Sequence, residues 1–352
     1  MIDAAYEKLI PALNSRSTSL PSVKCDEFFA MASFLFTPEE AEIAGAMPPG
    51  FASVEEISAC MPGSDTGKLG TQLETMSNKG LIHSKQAGGK TVYELLPFFP
   101  GSMELQFYRT DADDYLKQLD ILLINYQKAL RNMFKSGSMP TIEKSAPGRM
   151  ISVGTEIYTQ STVIPYQEMK ELLENTDVIA AGVCHCRHAG SWSGKPCSRP
   201  QDNCMILGSS AEFTIKRGLT KRLTKEQALQ MLDDAEKAAL VHQYCNTPDH
   251  FSNILCNCCS CHCFALSTWN KTPAPSQRVV ARYLVKIDGE ACINCEACIE
   301  RCQTRALKME DGRLARDEQR CIGCGLCMYA CPADALILEK RPAGLVPLHK
   351  CQ

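Results

Sequence analysis

The most chemically informative residues are two cysteine runs with the same spacing. Each run reads C-x2-C-x2-C-x3-C, and the members are Cys292, Cys295, Cys298 and Cys302, then Cys321, Cys324, Cys327 and Cys331. A [4Fe–4S] cube needs four thiolate ligands, and a C-x2-C-x2-C loop supplies three of them. Zinc sites instead use two C-x2-C pairs that are separated by a longer loop. The spacing therefore predicts two iron–sulfur clusters in place of zinc sites or a disulfide framework.

The two runs belong to a longer internal repeat. A shift of 29 residues places Asp288 on Asp317, and Ala306 on Ala335. Each copy in such a repeat is one structural unit that packs against its neighbour. The repeat predicts two pseudo-symmetric βαβ-like halves that share one small core, with one cysteine run in each half.

The stretch from about 282 to 340 resembles the bacterial ferredoxins that hold two [4Fe–4S] clusters. In those proteins the fourth cysteine of each run binds the cluster of the other run. The resemblance implies two crossed ligand sets, namely Cys292, Cys295, Cys298 with Cys331, and Cys321, Cys324, Cys327 with Cys302. The sequence departs from the motif at Gln303, where the pattern has a proline such as Pro332.

Ten further cysteines lie in the middle of the chain, with a spacing that fits neither ferredoxins nor zinc fingers. They are Cys184, Cys186, Cys197, Cys204, Cys245, Cys256, Cys258, Cys259, Cys261 and Cys263. If residues 256–263 are extended, Cys256 and Cys258 share one face and the other three cysteines of that run share the opposite face. If they are helical, Cys256, Cys259 and Cys263 share a face. In both cases the run divides into three and two, which one cube does not easily accommodate.

All ten of these cysteines are predicted metal ligands. The simplest arrangement is two metal centres, each with ligands from both segments, and the alternative is one [4Fe–4S] cluster beside a pair of reactive thiols. Four histidines are close in sequence, namely His185, His188, His242 and His262. Imidazole replaces thiolate in some clusters, although such a histidine more often hydrogen-bonds to a ligand. The basic residues Arg187, Lys195 and Arg199 are expected to offset the negative charge of a thiolate-bound cluster.

The chain is predicted to be an α+β multidomain protein. The predicted segments are 1–100 (N-terminal helix plus winged-helix-like domain), 101–144 (long helix and linker), 145–275 (cysteine-rich cluster-binding α/β domain) and 276–352 (two-[4Fe–4S] ferredoxin-like domain). Periodicity predicts helices over 112–135, 166–173 and 225–240. Strands are expected at 149–153 and 178–183. Cys60 lies on the apolar face of a predicted helix and is expected in the core.

Residues 37–98 predict three helices and a hairpin, an order that resembles a winged helix-turn-helix. In that fold the third helix, here about 64–78, reads DNA. It carries Lys68, and Lys79 follows it, but it also carries Glu74. A DNA-reading face normally shows clustered lysine and arginine. The sequence therefore favours a scaffold or a partner-docking module over DNA binding.

The order of motifs from about residue 145 onward also resembles a family. The motifs are VIPYQE, CHCRH, KEQALQMLDDAEKAALVHQ, ILCNCCSCHC and the C-terminal ferredoxin motif. This order is similar to that of multi-cluster ferredoxin-type iron–sulfur proteins of anaerobic bacteria and archaea. The resemblance implies a redox function and does not indicate a substrate.

Composition narrows the function classes. The 352 residues are 45% hydrophobic and 22% charged, with a net charge of −3, so neither nucleic acid nor an anionic membrane is an expected obligatory partner. No apolar run is long enough for a transmembrane helix. The N-terminal residues predict an amphipathic helix and not a signal peptide. With 21 cysteines and no signal peptide, the expected location is a reducing cytoplasm.

The leading hypothesis is an intracellular multi-cluster electron-transfer protein that is a partner or a subunit of an anaerobic oxidoreductase. Its redox partner would be an oxidoreductase subunit or a flavoprotein, since the chain has no nucleotide-binding glycine motif of its own. A homo-oligomer is compatible with the sequence. A sharper variant makes the middle cluster a catalytic site with an open coordination position. The alternative hypothesis is a redox-responsive transcription regulator that binds DNA through the winged-helix-like unit.

Overall fold

The chain folds as a mixed helix and sheet protein. The computed structural model describes residues 4–16, 22–109, 113–138, 161–163, 165–245, 254–263, 266–267, 270–271, 274, 276, 280–281 and 283–341. Two compact units are present, unit 1 with Met1–Ile157, Glu212–Leu219 and Thr247–Ser252, and unit 2 with Tyr158–Ala211, Thr220–Asn246 and Asn253–Gln352. The predicted boundaries near 100, 145 and 275 stay predictions. The strand expected at 149–153 lies outside the described residues.

Unit 1 is built from helices and one small antiparallel sheet. The helices are α1 (Ala4–Asn14), α2 (Asp26–Leu35), α3 (Pro38–Ala46), α4 (Val54–Ala59), α5 (Thr66–Lys79), α6 (Met103–Phe107) and α7 (Asp113–Ser136). The strands are β1 (Ala52–Ser53), β2 (Ile82–Ala87) and β3 (Lys90–Leu95), in the order β1-β3-β2. Thr37 and Ser53 close capping boxes that satisfy free N–H groups at the starts of α3 and α4. The predicted three helices and hairpin are present, while the likeness to a winged helix stays a prediction.

The long helix predicted over 112–135 is α7. Its apolar stripe lies in the core, since Leu119, Leu123, Tyr126 and Leu130 are all buried. The Tyr126 hydroxyl also accepts a hydrogen bond from the backbone N–H of Val23 at 2.9 Å. A hydroxyl that finds a partner is what allows a tyrosine to be buried at little cost.

The prediction that Cys60 lies in the core is wrong. Helix α4 ends at Ala59, so Cys60 falls in the turn that follows and its side chain is exposed. The error has a simple cause, because the helical periodicity on which the prediction relied stops one residue before the cysteine.

The charged side chains of α5 have partners within unit 1. Lys68 lies 2.8 Å from Glu39, and Lys79 lies 2.7 Å from Glu40, whose side chain is only 8% exposed. Glu74 pairs with the buried guanidinium of Arg217. The lysines on this helix are therefore not free charges that project from an unpaired basic face.

Within its described residues, unit 2 contains a sheet of seven strands. They are β4 (Ser161–Val163), β5 (Ile179–Gly182), β6 (Cys204–Leu207), β7 (Lys221–Leu223), β8 (Val241–Cys245), β9 (Ile254–Cys258) and β10 (Val280–Ala281). Their order is β10-β4-β8-β9-β6-β5-β7, and every neighbouring pair is antiparallel except β10 and β4. The accompanying helices are α8 (Tyr166–Glu174), α9 (His185–Trp192), α10 (Gly208–Lys216, of which residues from 212 belong to unit 1) and α11 (Lys225–Lys237).

Helix α11 is shorter than the predicted span of 225–240. Thr224 caps its start through a capping box with Gln227. At the other end Ala239 adopts a left-handed conformation with φ of 54°, which stops the helix and lets the chain enter β8. Helical periodicity continues to Leu240 in the sequence because Leu240 is also buried, although it no longer belongs to the helix.

Alternation along the central strands gives the sheet two different faces. Met205 of β6 and Leu255 of β9 are cross-strand neighbours on the face that packs against α8 and α11. The residues that alternate with them point to the opposite face, and there the register sets Cys204 beside Cys256. The sheet thus has a hydrocarbon face and a thiol face.

The ferredoxin-like region of unit 2 contains two strand pairs and two short helices. The elements are β11 (Tyr283–Ile287), α12 (Ala297–Arg301), β12 (Leu307–Glu310), β13 (Arg313–Arg316), α13 (Leu326–Tyr329) and β14 (Leu336–Lys340). Strand β11 pairs antiparallel with β14, and β12 pairs antiparallel with β13. The backbone N–H of Cys292 donates to Asp288 and that of Cys321 donates to Asp317, each at 3.0 Å. The two halves therefore use the same local hydrogen bonds at positions 29 residues apart.

The repeat is not chemically symmetric at every position. Asn294 and Gly323 occupy equivalent positions and both have positive φ, 53° and 67°. A Cβ atom on Gly323 would lie 2.2 Å from the carbonyl oxygen of Tyr283. Glycine is required there because β11 passes close to the second cysteine loop, whereas asparagine is tolerated in the first loop.

The ferredoxin-like region packs directly on the rest of unit 2. Arg301 of α12 donates hydrogen bonds to the carbonyl oxygens of Glu236 and Lys237 at the end of α11. A cation at this position also complements the partial negative charge at a helix C-terminus. In the described ranges, no helix has both the length and the apolar character needed to cross a bilayer.

Candidate metal centres

The first of the two crossed ligand sets, which we call the first ferredoxin set, is brought together in the structure. Cys292, Cys295, Cys298 and Cys331 line a common pocket. Burial raises the pKa of the Cys298 thiol, and the neighbouring thiols of Cys295, Cys331 and Cys292 contribute to the shift. The backbone N–H of Ala335 donates to the sulfur of Cys331 at 3.2 Å. The loop is open to solvent, since Cys295 is exposed and Ile293 is 65% exposed.

The second ferredoxin set is the other crossed ligand set, with three cysteines of the second run and Cys302 of the first. Its thiols also lie together, and they are more deeply buried than those of the first set. Cys302 packs in one cluster with Cys321 and Cys327, and it acts electrostatically on Cys324 and Cys327. Burial is the largest cause that raises the pKa of both Cys324 and Cys327. The backbone N–H of Ala306 donates to the sulfur of Cys302 at 3.1 Å, which matches the bond made to Cys331 in the other half. The structure thus brings each fourth cysteine to the loop of the other run.

Six of the middle cysteines form a closed ring of thiols, which we call the six-thiol ring. In order around the ring they are Cys184, Cys204, Cys256, Cys258, Cys263 and Cys186. Each thiol lies close enough to the two beside it that neighbouring thiols shift each other's pKa, and the Sγ atoms of Cys204 and Cys256 are 4.0 Å apart. Three members come from residues 184–204 and three from 256–263, so two distant segments meet in one site.

The ring is a consequence of the sheet register. Cys204 and Cys256 are set side by side on adjacent strands, and Cys258 follows Cys256 on the same face of β9. The chain then turns at residues 259–262, where the backbone N–H of Cys263 donates to the carbonyl of Cys259, and this turn returns Cys263 to the ring. Strand β9 ends inside the cysteine run, so the run is neither a continuous strand nor a helix. Three of its cysteines, Cys256, Cys258 and Cys263, therefore lie in the ring, and this set differs from the one that either regular structure would group together.

The direction of the pKa shift alternates around the six-thiol ring. Hydrogen bonds from Cys204 and Cys258 lower the pKa of Cys256 to about 5. Hydrogen bonds with Cys184 and Cys263 raise the pKa of Cys186. Each thiol whose pKa is lowered thus lies between two thiols whose pKa is raised. Metal ligation requires thiolates, so a metal that binds here releases the remaining protons.

Arg187 supplies the positive charge beside the ring. It is only 1% exposed, and it donates to the backbone carbonyl of Asn257 and to the side-chain oxygen of Asn203. Burial acts to lower its pKa, but the thiolates around it, with Cys184 and Cys259 as the largest contributors, more than offset burial and raise the pKa. Most arginines form ion pairs at the protein surface. Arg187 is instead buried, and its positive charge faces cysteines.

A second group lies apart from the ring, and we call it the Cys197 quartet. It contains Cys197, Cys259, Cys261 and His262, whose ligand atoms all lie within 4.8 Å of one another. Like the ring, it takes residues from both segments of the middle region. The side chain of Cys245 lies outside the described residues, although its backbone belongs to β8.

Of the four histidines singled out in the sequence, His262 alone joins a potential ligand group among the described residues. His188 stacks on Trp192 with ring centroids 4.5 Å apart. Burial lowers the pKa of His185 to about 3. His242 lies between two oxygens, with Nδ1 at 2.6 Å from the side chain of Asn257 and Nε2 at 3.0 Å from Glu236. The spacing of these histidines along the sequence could not show which of them joins a ligand group, because sheet register and helix packing determine the direction of each imidazole ring.

Gln303, which the sequence marked only as a departure from the ferredoxin motif, makes a contact with the turn at 259–262. Its side-chain oxygen accepts hydrogen bonds from both the backbone N–H and the hydroxyl of Ser260, at 3.0 and 2.9 Å. Ser260 lies between Cys259 and Cys261 of the Cys197 quartet, and Gln303 follows Cys302. The amide replaces the usual proline because a proline offers no side-chain acceptor at this contact.

Comparison with known proteins bears on the C-terminal part of the chain. A family model described as a 4Fe-4S dicluster domain matches residues 285–338, which include both cysteine runs. Residues 285–338 are a ferredoxin-like iron–sulfur region. No curated protein and no solved structure matches the chain. The ferredoxin-like region and the cysteine-rich groups together fit an iron–sulfur electron-transfer protein.

Replacing Arg187 with methionine is expected to make the reduction potential of a centre in the six-thiol ring more negative. Reduction adds negative charge, and the buried guanidinium stabilises that charge. The expected shift is roughly 60 mV or more, which corresponds to a tenfold change in a one-electron equilibrium. An EPR-monitored redox titration measures it. Arg187→Lys, which keeps the charge, should shift the potential less, and equal potentials in all three proteins would contradict the assigned role.

Replacing Gln303 with proline is expected to loosen the turn at 259–262 while both ferredoxin thiol sets keep their iron. The substitution restores the ferredoxin pattern but removes the acceptor for Ser260. Hydrogen exchange of peptides that cover 256–263 should become faster, as measured by mass spectrometry. Ser260→Ala retains the backbone bond and should have a smaller effect. Unchanged exchange in Gln303→Pro would show that the contact does not hold the turn.

Proposed function

We propose that the protein is an intracellular multi-cluster iron–sulfur electron-transfer protein and that it acts as a partner or a subunit of an anaerobic oxidoreductase. The two crossed thiol sets of the ferredoxin-like region would hold one [4Fe–4S] cluster each. When bound, such clusters supply reversible one-electron transfer. The six-thiol ring would hold at least one further iron–sulfur centre.

The observation that carries the proposal is the order of the thiol sets from the surface to the interior of unit 2. The set with Cys295 opens to solvent beside the exposed Ile293, where a redox partner can approach. The set with Cys324 lies deeper. Cys324 packs against an apolar cluster that also contains Cys258 and Cys263 of the six-thiol ring. This order suits a protein that exchanges electrons at one edge and conducts them inward.

The apolar cluster between the second ferredoxin set and the ring explains how the two are held together. Ile322 and Leu326 from the second cysteine loop pack there with Val241 of β8 and Leu266. These side chains are at most 1% exposed, so water is excluded from the space between the two thiol sets. A dry, close-packed contact keeps the sets at a fixed separation, which efficient electron exchange needs.

The ring offers six thiols, whereas one cube needs four ligands. Four buried members, Cys184, Cys204, Cys258 and Cys263, are joined by the less buried Cys186 and Cys256. The surplus is compatible with a larger cluster or with a cube beside two thiols that remain free to react. A catalytic centre with an open coordination position is a variant of the second possibility.

Anaerobically purified protein is expected to contain more than about eight iron atoms and eight acid-labile sulfides per chain, since two cubes account for eight of each. Cys256→Ser should reduce both counts toward about eight while the EPR signals of the two ferredoxin clusters remain. Cys60→Ser is the matched control, because Cys60 is exposed and belongs to no thiol group. A wild-type count near eight, with zinc or free thiols in the ring, would refute the additional iron–sulfur centre.

A redox-responsive regulator is the second candidate, and one observation favours it. Helices α3 to α5 followed by the β2–β3 hairpin occur in the order of a winged helix-turn-helix. The pairing of Lys68 with Glu39 and of Lys79 with Glu40 weighs against DNA binding by α5. Non-specific DNA affinity depends mainly on cations that neutralise phosphates, and paired lysines release few counterions. We therefore place docking to a protein partner ahead of DNA binding for this unit.

No measurable binding to duplex DNA is expected at physiological salt, whether or not the clusters are loaded. At much lower salt the expected binding is weak and steeply salt-dependent. Fluorescence anisotropy with a labelled duplex, at stated salt, measures both. A sub-micromolar complex at physiological salt that Lys68→Glu abolishes, and that Lys8→Glu in α1 leaves intact, would make the regulator the leading hypothesis.

A further inference from the structure

The Cys197 quartet has the composition and compactness of a site for one metal ion. Three thiols and one imidazole nitrogen lie within 4.8 Å of one another. In a tetrahedral zinc site the metal–sulfur distance of about 2.3 Å places the thiolates about 3.8 Å apart. A cube holds its four ligands farther apart, because four iron atoms and four sulfides lie between them. The quartet is therefore the right size for a single ion.

The hydrogen bond made by His262 leaves one ring nitrogen ready to bind. Its Nε2 lies 2.7 Å from the backbone carbonyl oxygen of Lys195. A carbonyl oxygen can only accept, so Nε2 carries the proton and Nδ1 carries the free lone pair. Nδ1 lies 3.1 Å from the sulfur of Cys261, on the side where the thiols converge. Zinc-binding histidines typically donate their second N–H to a carbonyl or carboxylate in this manner.

The backbone of α9 is shaped to receive the imidazole. A Cβ atom on Gly190 would lie 2.6 Å from both Cδ2 and Nε2 of His262, and 2.6 Å from the carbonyl oxygen of Lys195. Only glycine leaves room for the ring at this position. The space is therefore fitted to the one histidine that completes the quartet.

The surroundings also compensate the charge of such a site. Three thiolates and a neutral imidazole around a divalent ion leave one net negative charge. Arg199 donates from Nη1 to the sulfur of Cys261 at 3.4 Å, and its Nε donates to the carbonyl oxygen of Ala238. Arg187 also lies within electrostatic reach of Cys259. Two cations are thus near the quartet, and one of them is buried.

We propose that Cys197, Cys259, Cys261 and His262 bind a single structural zinc ion in tetrahedral geometry, separate from the six-thiol ring. The ion closes the loop around Cys197 onto the turn at 259–262. That turn connects Cys258 to Cys263, which are both members of the ring. The zinc site fixes the path of the chain between two ring thiols and excludes three cysteines from the iron–sulfur centre.

Zinc-edge X-ray absorption on the full-length, anaerobically purified protein tests the proposal. The expected result is one zinc per chain with three sulfur neighbours at about 2.3 Å and one nitrogen neighbour at about 2.0 Å. His262→Ala and Cys261→Ser should each lose most of the zinc, while iron and acid-labile sulfide stay unchanged. His188→Ala is the matched control, because this histidine stacks on Trp192 and should leave the zinc unaffected.

Two further variants keep the test independent of misfolding. His262→Cys should retain one zinc, now with four sulfur neighbours, because a thiolate replaces the imidazole. Gly190→Ala keeps all four ligands but displaces the imidazole, so it should lose zinc as His262→Ala does. Loss of about four iron atoms and four sulfides in Cys261→Ser, with no zinc in the wild type, would show that the quartet holds a cube and would overturn the proposal. The readout is zinc and its neighbours, so it does not depend on how many iron atoms the ring binds.

Discussion

The arrangement of unit 2 depends on keeping many cysteine sulfurs close together without accumulating uncompensated negative charge in a buried site. Arg187 meets this requirement, because its guanidinium is buried and lies within electrostatic reach of both the six-thiol ring and Cys259 of the quartet. Its hydrogen bonds to Asn203 and Asn257 fix it between the strands that carry ring thiols. Burying a charge is costly unless it is paired and hydrogen-bonded, and here the surrounding thiols supply opposite charge while Nη1 and Nη2 of the guanidinium are hydrogen-bonded.

The sheet makes this concentration of thiols possible by separating two chemical tasks onto two faces. Met205, Leu255 and their neighbours form an ordinary hydrocarbon core with α8 and α11. The alternate positions of the same strands carry Cys204, Cys256 and Cys258. A helix would spread cysteines at these spacings around its circumference, whereas neighbouring antiparallel strands place them side by side. The apolar face therefore stabilises the sheet, even though the opposite face carries thiols in place of apolar side chains.

The ferredoxin-like region is integrated into unit 2 through contacts that an isolated ferredoxin does not need. Arg301 binds the end of α11, Gln303 binds the turn at Ser260, and Ile322 and Leu326 share an apolar cluster with ring cysteines. All of these contacts come from positions beside the cysteines of the two runs. Each side chain that fixes the region in place is thus next in sequence to a cysteine that would hold a cluster. A displacement of the contact residue therefore also displaces the neighbouring cysteine.

The sequence by itself determined the features that depend on local spacing. The two C-x2-C-x2-C-x3-C runs identify the ferredoxin-like region, and the capping boxes at Thr37 and Ser53 mark the starts of two helices. Helical periodicity located α7 and its buried stripe, because these properties depend on residues at most a few turns apart. The same local reasoning failed at Cys60 and at the end of α11, where one residue in a turn changes the outcome. It could propose two ligand groups in the middle region but could not divide the cysteines between them.

Only the tertiary structure decided that division. Cys204 meets Cys256 through strand register, and Cys263 returns to the ring through a turn that begins directly after Cys258. His262 joins the quartet because Gly190, from a helix more than seventy residues earlier in the sequence, leaves space for its ring. Gln303, which by sequence is a departure from a motif, becomes a contact only when Ser260 is beside it. Each of these outcomes depends on distances between segments that are remote in the chain, and a pattern of spacings along one segment contains no information about them.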